Sequence, residues 1–203
     1  MILRLLSTAV VLLLLTIVLG AFVAQRPPGS LDVAALALRG HGVAIADLFT
    51  ALGRWWMLLP IGVVTFGIAM VLRANLVPLV VVFAAQAASQ GVNALLKLGF
   101  QRERQLASIG APERDLSYPS GHSVTAVVFF AALAILAWHA PVPRPLALTA
   151  AAILAICVAG IPWSRLALGA HYATDVIGGL AFGGAWLAIT LAVLIRLSVT
   201  ATR

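Results

Sequence analysis

Two short segments in the second half of the chain hold the side chains best suited to chemistry: Pro119-Ser120-Gly121-His122, and Ser164-Arg165 followed by His171 and Asp175. His171 and Asp175 are four residues apart, so on a helix they share a face and can touch. A carboxylate that takes the hydrogen of one imidazole nitrogen leaves the other nitrogen free to attack. Ser120, ahead of Gly121 and an apolar run, marks a helix start, where unpaired N–H groups face an incoming anion. Gly121 lets a phosphate approach the backbone closely, and Pro119 stiffens the turn. Arg165 offers a planar fork suited to phosphate oxygens. Lys97 and Arg104 add two cations upstream. The combination points to phosphoryl transfer, although each piece alone has a plainer reading as a capped helix start, a local His–Asp contact or snorkelling cations.

Almost everything else is hydrocarbon. Apolar residues make up 63% of the 203 and charged residues 9%, and the mean hydropathy is +1.10, which excludes a soluble domain that needs a wetted surface. The charges divide the chain into six apolar runs, 5–24, 55–72, 74–96, 121–141, 145–163 and 176–195, each close to the ~20 residues that cross a bilayer as helix. None has the ten-residue alternation of a barrel. The expected fold is all-α: a polytopic membrane protein with residues 1–203 forming one compact bundle of six transmembrane helices. Two connections are long, 25–54 and 99–118. The first carries an apolar-periodic stretch, 31–52, expected as a helix along the interface or over the bundle mouth. The single cysteine, Cys157, lies in the fifth run and has no partner in the chain for a disulfide.

Counting crossings relates the motifs to one another. Lys97 ends the third run, Ser120 and His122 open the fourth, Arg165 ends the fifth, and His171 and Asp175 open the sixth. All therefore emerge on one face, at the depth of a lipid phosphate. In the third run Gln86, Gln90, Asn93 and Lys97 form one polar stripe, which should face the bundle interior and line the floor of a site, with Asn93 helping to position Lys97.

A net charge of +7 would suggest a nucleic-acid partner in a soluble protein. Here five arginines (Arg4, Arg73, Arg144, Arg196, Arg203) fall on one side with no acid, while all six acids fall on the other with the remaining eight basic residues. Short, purely basic connections mark a cytoplasmic face, so the motif-bearing face is expected to be periplasmic or extracellular and no nucleic acid is expected to bind. The raw Lys/Arg count points the opposite way, but the eight lie in longer loops and several belong to the site. Arg102 and Arg114 read as snorkelling anchors. Trp55, Trp56, Trp138 and Trp163 read as interface anchors, His139 as a headgroup-level residue and His41 as a bystander in the first long loop. Gly178, Gly179, Gly183 and Gly184 suggest close helix packing.

Lys97 with Arg104, the Pro119-to-His122 segment, and Ser164-Arg165 with His171 and Asp175 together resemble the three-part signature of the type 2 phosphatidic acid phosphatase superfamily, membrane lipid phosphatases related to vanadium haloperoxidases. The resemblance covers residues 97–175. One departure is Gln105, where the family's first motif usually has proline. The resemblance implies that His171 attacks phosphorus to form a phosphohistidine and that Asp175 orients it. His122 would protonate the leaving oxygen and then activate water. Lys97, Arg104, Ser120, the Gly121 N–H and Arg165 would hold the nonbridging oxygens, with Asn93, Ser164 and Pro119 in support. It implies no metal and no cofactor. The substrate would be a membrane phospholipid or polyprenyl phosphate, with undecaprenyl diphosphate placed first and phosphatidic acid, phosphatidylglycerol phosphate and a lipid A phosphate as alternatives, in a bacterial inner (plasma) membrane. A lipid-to-lipid phosphotransferase and a non-catalytic lipid-binding or flipping protein are the competing expectations.

Overall fold

An apolar chain can satisfy its backbone in a bilayer by winding into helix, and the computed structural model, which describes residues 1–104, 108–109, 113 and 115–201, is helical throughout its long runs. Gln105 and Arg114 lie outside the described residues. In chain order the elements are α1 (Ile2–Val23), α2 (Ser30–Ala35) extended by a 3₁₀ turn (Leu36–Leu38), α3 (Val43–Leu52), α4 (Trp55–Val71), α5 (Val77–Phe100), α6 (Gly121–Thr125), α7 (Ala132–Trp138), α8 (Arg144–Ala167) and α9 (Ala173–Ala201). A π-helical stretch, Ala126–Ala131, joins α6 to α7, so that Gly121–Trp138 runs as one span. Such wide turns gather near functional sites, and this one starts four residues after His122.

Five of the expected spans are long and apolar enough to cross a membrane. The sixth, α4, has 17 residues, about 26 Å at 1.5 Å per residue, the short end of the spanning range. Connectivity requires it to cross. Its first residues follow Gly53, where a Cβ would lie 2.6 Å from the His122 ring at the motif face. Its last residue is joined by residues 72–76 to the start of α5, and α5 returns to the motif face at Lys97. Many large apolar side chains point outward, among them Leu3, Val11, Val63, Val71 and Leu95. That belt suits lipid and not water.

The apolar-periodic stretch 31–52 is not one continuous helix. It breaks at residues 39–42, where Gly40 and Gly42 take φ values of 83° and 61° that a side chain would resist. Its two halves are bent by 111°. The bend sends α2 to the start of α9 and lays α3 along α8, so the segment covers the motif end of the bundle. Trp163 is packed edge-on against Phe49 of α3, ring centroids 6.4 Å apart, and serves that contact instead of standing free at the interface. Trp55, Trp56 and Trp138 are exposed, as anchors should be.

Between helices in lipid there is no water to expel, so association depends on close van der Waals contact and small residues. The α9 face supplies them. α1 packs along α9 through Ala9, Ala185 and Ala188, and Gly179 allows α6 to approach until a Cβ at that position would lie 2.5 Å from the Ser120 carbonyl oxygen. Gly179→Ala is expected to lower the thermal midpoint in detergent, corresponding to about 1–3 kcal/mol of overpacking. An unchanged midpoint would show that α6 and α9 can separate at no cost.

Candidate active site

After α8 ends, Gly169 turns the chain with φ +64° and α9 begins two residues beyond His171. This delivers the histidine and Asp175 to one buried point: His171 is 2% exposed and Asp175 0%, with Nδ1 of the first 3.3 Å from Oδ2 of the second. The same Oδ2 accepts from the Tyr172 backbone N–H at 2.9 Å and from the Ser117 hydroxyl. Ser117 Oγ is itself 3.4 Å from Nδ1. The other carboxylate oxygen, Oδ1, accepts from Arg102 Nη1 at 2.6 Å. With the Nδ1 hydrogen directed at the carboxylate, Nε2 carries the lone pair, and it faces Arg104 Nη1 at 3.1 Å. Burial, followed by the positive charges of Arg104, Arg165 and Lys97, holds the His171 imidazole well below its ordinary value of 6.5. That environment favours the neutral imidazole over the imidazolium.

His171, His122, Lys97 and Arg104 line one cavity of about 480 Å³, whose floor includes Gln86, Gln90, Asn93 and Thr125 and whose rim includes Trp55 and Trp56. The polar stripe of α5 therefore faces the site. Gln90 Nε2 donates to the Gly121 carbonyl at 3.2 Å, and Gln86 Nε2 to Thr125 Oγ1 at 2.9 Å, which fixes α6 against α5. His122 Nε2 is buried and has no hydrogen-bond partner among the described residues. A buried imidazole nitrogen without a partner, beside a cavity, is available to exchange a proton. Asn93 is buried at the floor, but nothing described ties it to Lys97. The ammonium is held instead by Asp115 Oδ2 at 2.8 Å and the Leu116 carbonyl.

Several residues expected at the phosphate stand behind it. Ser120 is fully buried. Its Oγ caps α6, lying 3.5 Å from the Ser123 N–H, and its own N–H donates to the Asp175 carbonyl at 3.1 Å. It joins the two motifs and does not line the cavity. Pro119 follows a cis peptide bond from Tyr118. Ser164 Oγ donates to the Ile161 carbonyl at 2.7 Å and meets Thr50 Oγ1 of α3 at 2.7 Å. Arg165, 1% exposed, donates to the same threonine at 3.1 Å and pairs with Glu113. His41 lines neither this cavity nor a second one beside α2.

Carboxylates occupy all three cations that the motifs single out. Glu113 bridges Arg165 and Arg104, and Asp115 bridges Lys97 and Arg104. Burial alone would raise the Asp115 carboxyl, but Lys97 and Arg104 outweigh it and hold it down to about 2. A phosphate would have to displace these carboxylates. The sequence reading passed over Glu113 and Asp115, along with Arg102, Asp32 and Ser117. Arg102 does not snorkel. It is 3% exposed and ion-paired to Asp32 and Asp175.

With this geometry in view, comparison places the chain among known proteins. Residues 76–197 match the model of the PAP2 superfamily, and the chain belongs to that family. Over 77 residues it is 44% identical to a lipid A 1-phosphatase of Rhizobium etli, a match covering 38% of this chain and 28% of that protein. Over 69 residues it is 39% identical to a putative undecaprenyl-diphosphatase of Escherichia coli, covering 34% of this chain and 30% of that one. The matched segments thus span less than a third of either relative. A PAP2-type phosphatidylglycerolphosphate phosphatase from Bacillus subtilis has a similar structure, with a TM-score of 0.77 over 93% of this chain and 96% of that one at 23% identity. That likeness shows a shared fold.

Two outcomes are expected from the site's electrostatics. The acid limb of kcat/KM, which reports the free enzyme, should fall below pH 6.5, because His171 loses its lone pair only as pH drops through a lowered value. A limb at or above 6.5 would contradict the burial of a neutral His171. Asp115→Asn removes an anion that competes for Lys97 and Arg104, so inorganic phosphate should inhibit several-fold more tightly. Equal or weaker inhibition would place phosphate elsewhere.

Proposed function

We propose that this protein hydrolyses the phosphate ester or anhydride of a membrane lipid through a phosphohistidine at His171. The observation that carries the reading is the convergence of His171 Nε2, the unpartnered His122 Nε2 and the cations Lys97 and Arg104 on one cavity at the end of a bundle of spanning helices. In the first step the Nε2 lone pair attacks phosphorus, the bond from phosphorus to the lipid oxygen breaks, and His122 delivers a proton to that oxygen. In the second, His122 takes a proton from water as the water oxygen attacks phosphorus. The phosphorus–nitrogen bond breaks and inorganic phosphate leaves. Asp175 keeps the Nδ1 hydrogen in place and stabilises the imidazolium character that develops. Lys97 and Arg104, with Arg165 once Glu113 has moved, hold the nonbridging oxygens as charge builds on them.

The tail of the substrate stays in the bilayer while its headgroup enters the cavity. Undecaprenyl diphosphate and lipid A 1-phosphate are the two headgroups to place first, supported by the names of the relatives. The basic, acid-free short connections support a periplasmic or extracellular site in a bacterial inner membrane. The positive charge that the transition state requires is supplied by lysine and arginine, so no metal is assigned a role.

Phosphate release by purified protein in detergent tests the reading, with and without chelator, across undecaprenyl diphosphate, lipid A, phosphatidic acid and phosphatidylglycerol phosphate. Chelator-resistant release from at least one lipid is expected, abolished by His171→Ala and slowed roughly 100-fold or more by Asp175→Asn, which no longer enforces the tautomer. Release that a chelator stops and added metal restores, or that survives His171→Ala, would overturn it.

A further inference from the structure

Beside His171 a buried chain of alternating charge runs from the motif residue Asp175 to two residues that the family signature does not name, Arg102 and Asp32. Arg102 sits where the chain leaves α5, between Lys97 and Arg104 in sequence, yet it turns away from the cavity that those two line. Its Nη1 donates to Asp175 Oδ1 at 2.6 Å and to Thr174 Oγ1 at 2.7 Å. Its Nη2 donates to Asp32 Oδ2 at 2.9 Å, and its guanidinium lies 4.4 Å from the centre of the Tyr172 ring. Asp32 belongs to α2 in the long loop, 70 residues away in sequence. It is 2% exposed, and its Oδ1 also accepts from the Thr174 backbone N–H at 2.9 Å, as a cap on the start of α9.

We propose that Arg102 and Asp32 are positioning residues for the nucleophile, with Arg102 gripping one oxygen of Asp175 so that the other meets His171 Nδ1, and Asp32 balancing the arginine's charge. The division of labour follows from the atoms. Asp175 has two oxygens, and each must be held if the carboxylate is to present a fixed edge to the imidazole. Arg102 takes Oδ1, while Tyr172 N–H and Ser117 fix Oδ2. An arginine alone at that place would weaken the catalytic pair, because an uncompensated cation opposes the positive charge that develops on His171 as it attacks. Asp32 removes that opposition. The loop helix α2 is thereby part of the catalytic apparatus although it contributes nothing to the phosphate cavity. In metal sites the outer groups that orient a ligating histidine are worth about 10- to 100-fold, and an effect of the same order is expected for a histidine oriented to attack.

The two residues should move the site in opposite electrostatic directions, which a purely structural clamp would not do. His171 also faces Arg104, Lys97, Arg165 and His122 on the cation side, and Asp115 and Asp175 on the anion side. All of these are retained in the variants below. Asp32→Asn keeps the shape and the cap on Thr174 but leaves Arg102 to be balanced by Asp175 without the second carboxylate: kcat should fall about tenfold at little-changed KM, and the acid limb of kcat/KM should shift to lower pH. Arg102→Gln removes the cation and loosens Asp175: kcat should fall roughly 100-fold, and the acid limb should shift to higher pH. The double variant should lose less than the product of the two single losses, and Arg102→Lys should recover part of the Arg102→Gln loss.

The inference rests on His171 as the nucleophile, so His171→Ala is assayed alongside. Activity surviving in His171→Ala would sink that reading of the function. An inactive His171→Ala together with folded Asp32→Asn and Arg102→Lys proteins of wild-type kcat and pH profile would overturn the positioning role alone. Failure of both of these conservative variants to yield folded protein would assign the pair to folding and equally overturn it.

Discussion

Ionisable groups at the edge of a hydrocarbon bundle persist when each finds an opposite charge, and this constraint organises the whole motif end of the protein. Lys97, Arg102, Arg104 and Arg165 are met there by Asp32, Glu113, Asp115 and Asp175. The pairings divide into two sets. Arg102 with Asp32 and Asp175 forms a closed, deeply buried group behind the histidine. Lys97, Arg104 and Arg165 with Glu113 and Asp115 form a more open group around the cavity, and Asp115 remains half-exposed. The first set holds His171 through Asp175, and the second surrounds the cavity, where under the proposed function an incoming phosphate dianion would exchange with carboxylates already in place. Such an exchange replaces one charge-assisted contact by another and avoids leaving a cation bare.

The fold serves that end by bringing the tips of α5, α6, α8 and α9 to one level. The glycine and alanine face of α9 permits the approach. Gly179 lets the Ser120 backbone come within hydrogen-bond reach of the Asp175 carbonyl, which couples the second and third motifs directly. Tyr118 adds a second tie: its hydroxyl donates to the Thr16 carbonyl of α1 at 2.6 Å, while its ring packs edge-on against Phe100 at 5.2 Å. The spans supply rigidity and depth, and the two bent segments of the first long loop close over them.

The residues that face the cavity were largely legible in the sequence because their types are costly there. A histidine with a carboxylate four residues on, and cations at the ends of apolar runs, have few reasons to exist in a membrane helix. The six runs were legible for the same reason, since charge interrupts them. Ser120 and Arg165 were recognised from their motifs, but sequence could not say that one is spent on capping α6 and the other turned to Glu113 and Thr50. Arg102 and Asp32 were missed for a physical reason. An arginine in a polar loop has a ready explanation as a snorkelling anchor, and its partner is 70 residues away on a helix whose position depends on a bend. That bend was present only as Gly40 and Gly42, two glycines two residues apart in a stretch whose apolar period runs on past them.

The measurement that bears most directly on the central claim is acid- and base-quenched trapping of the intermediate, using a lipid carrying radiolabelled phosphate and mapping the label by peptide mass spectrometry. The expected result is a base-stable, acid-labile phosphoryl group on His171, absent from His171→Ala. Label on another residue, or turnover that continues while rapid base quenching traps no label on His171, would contradict it.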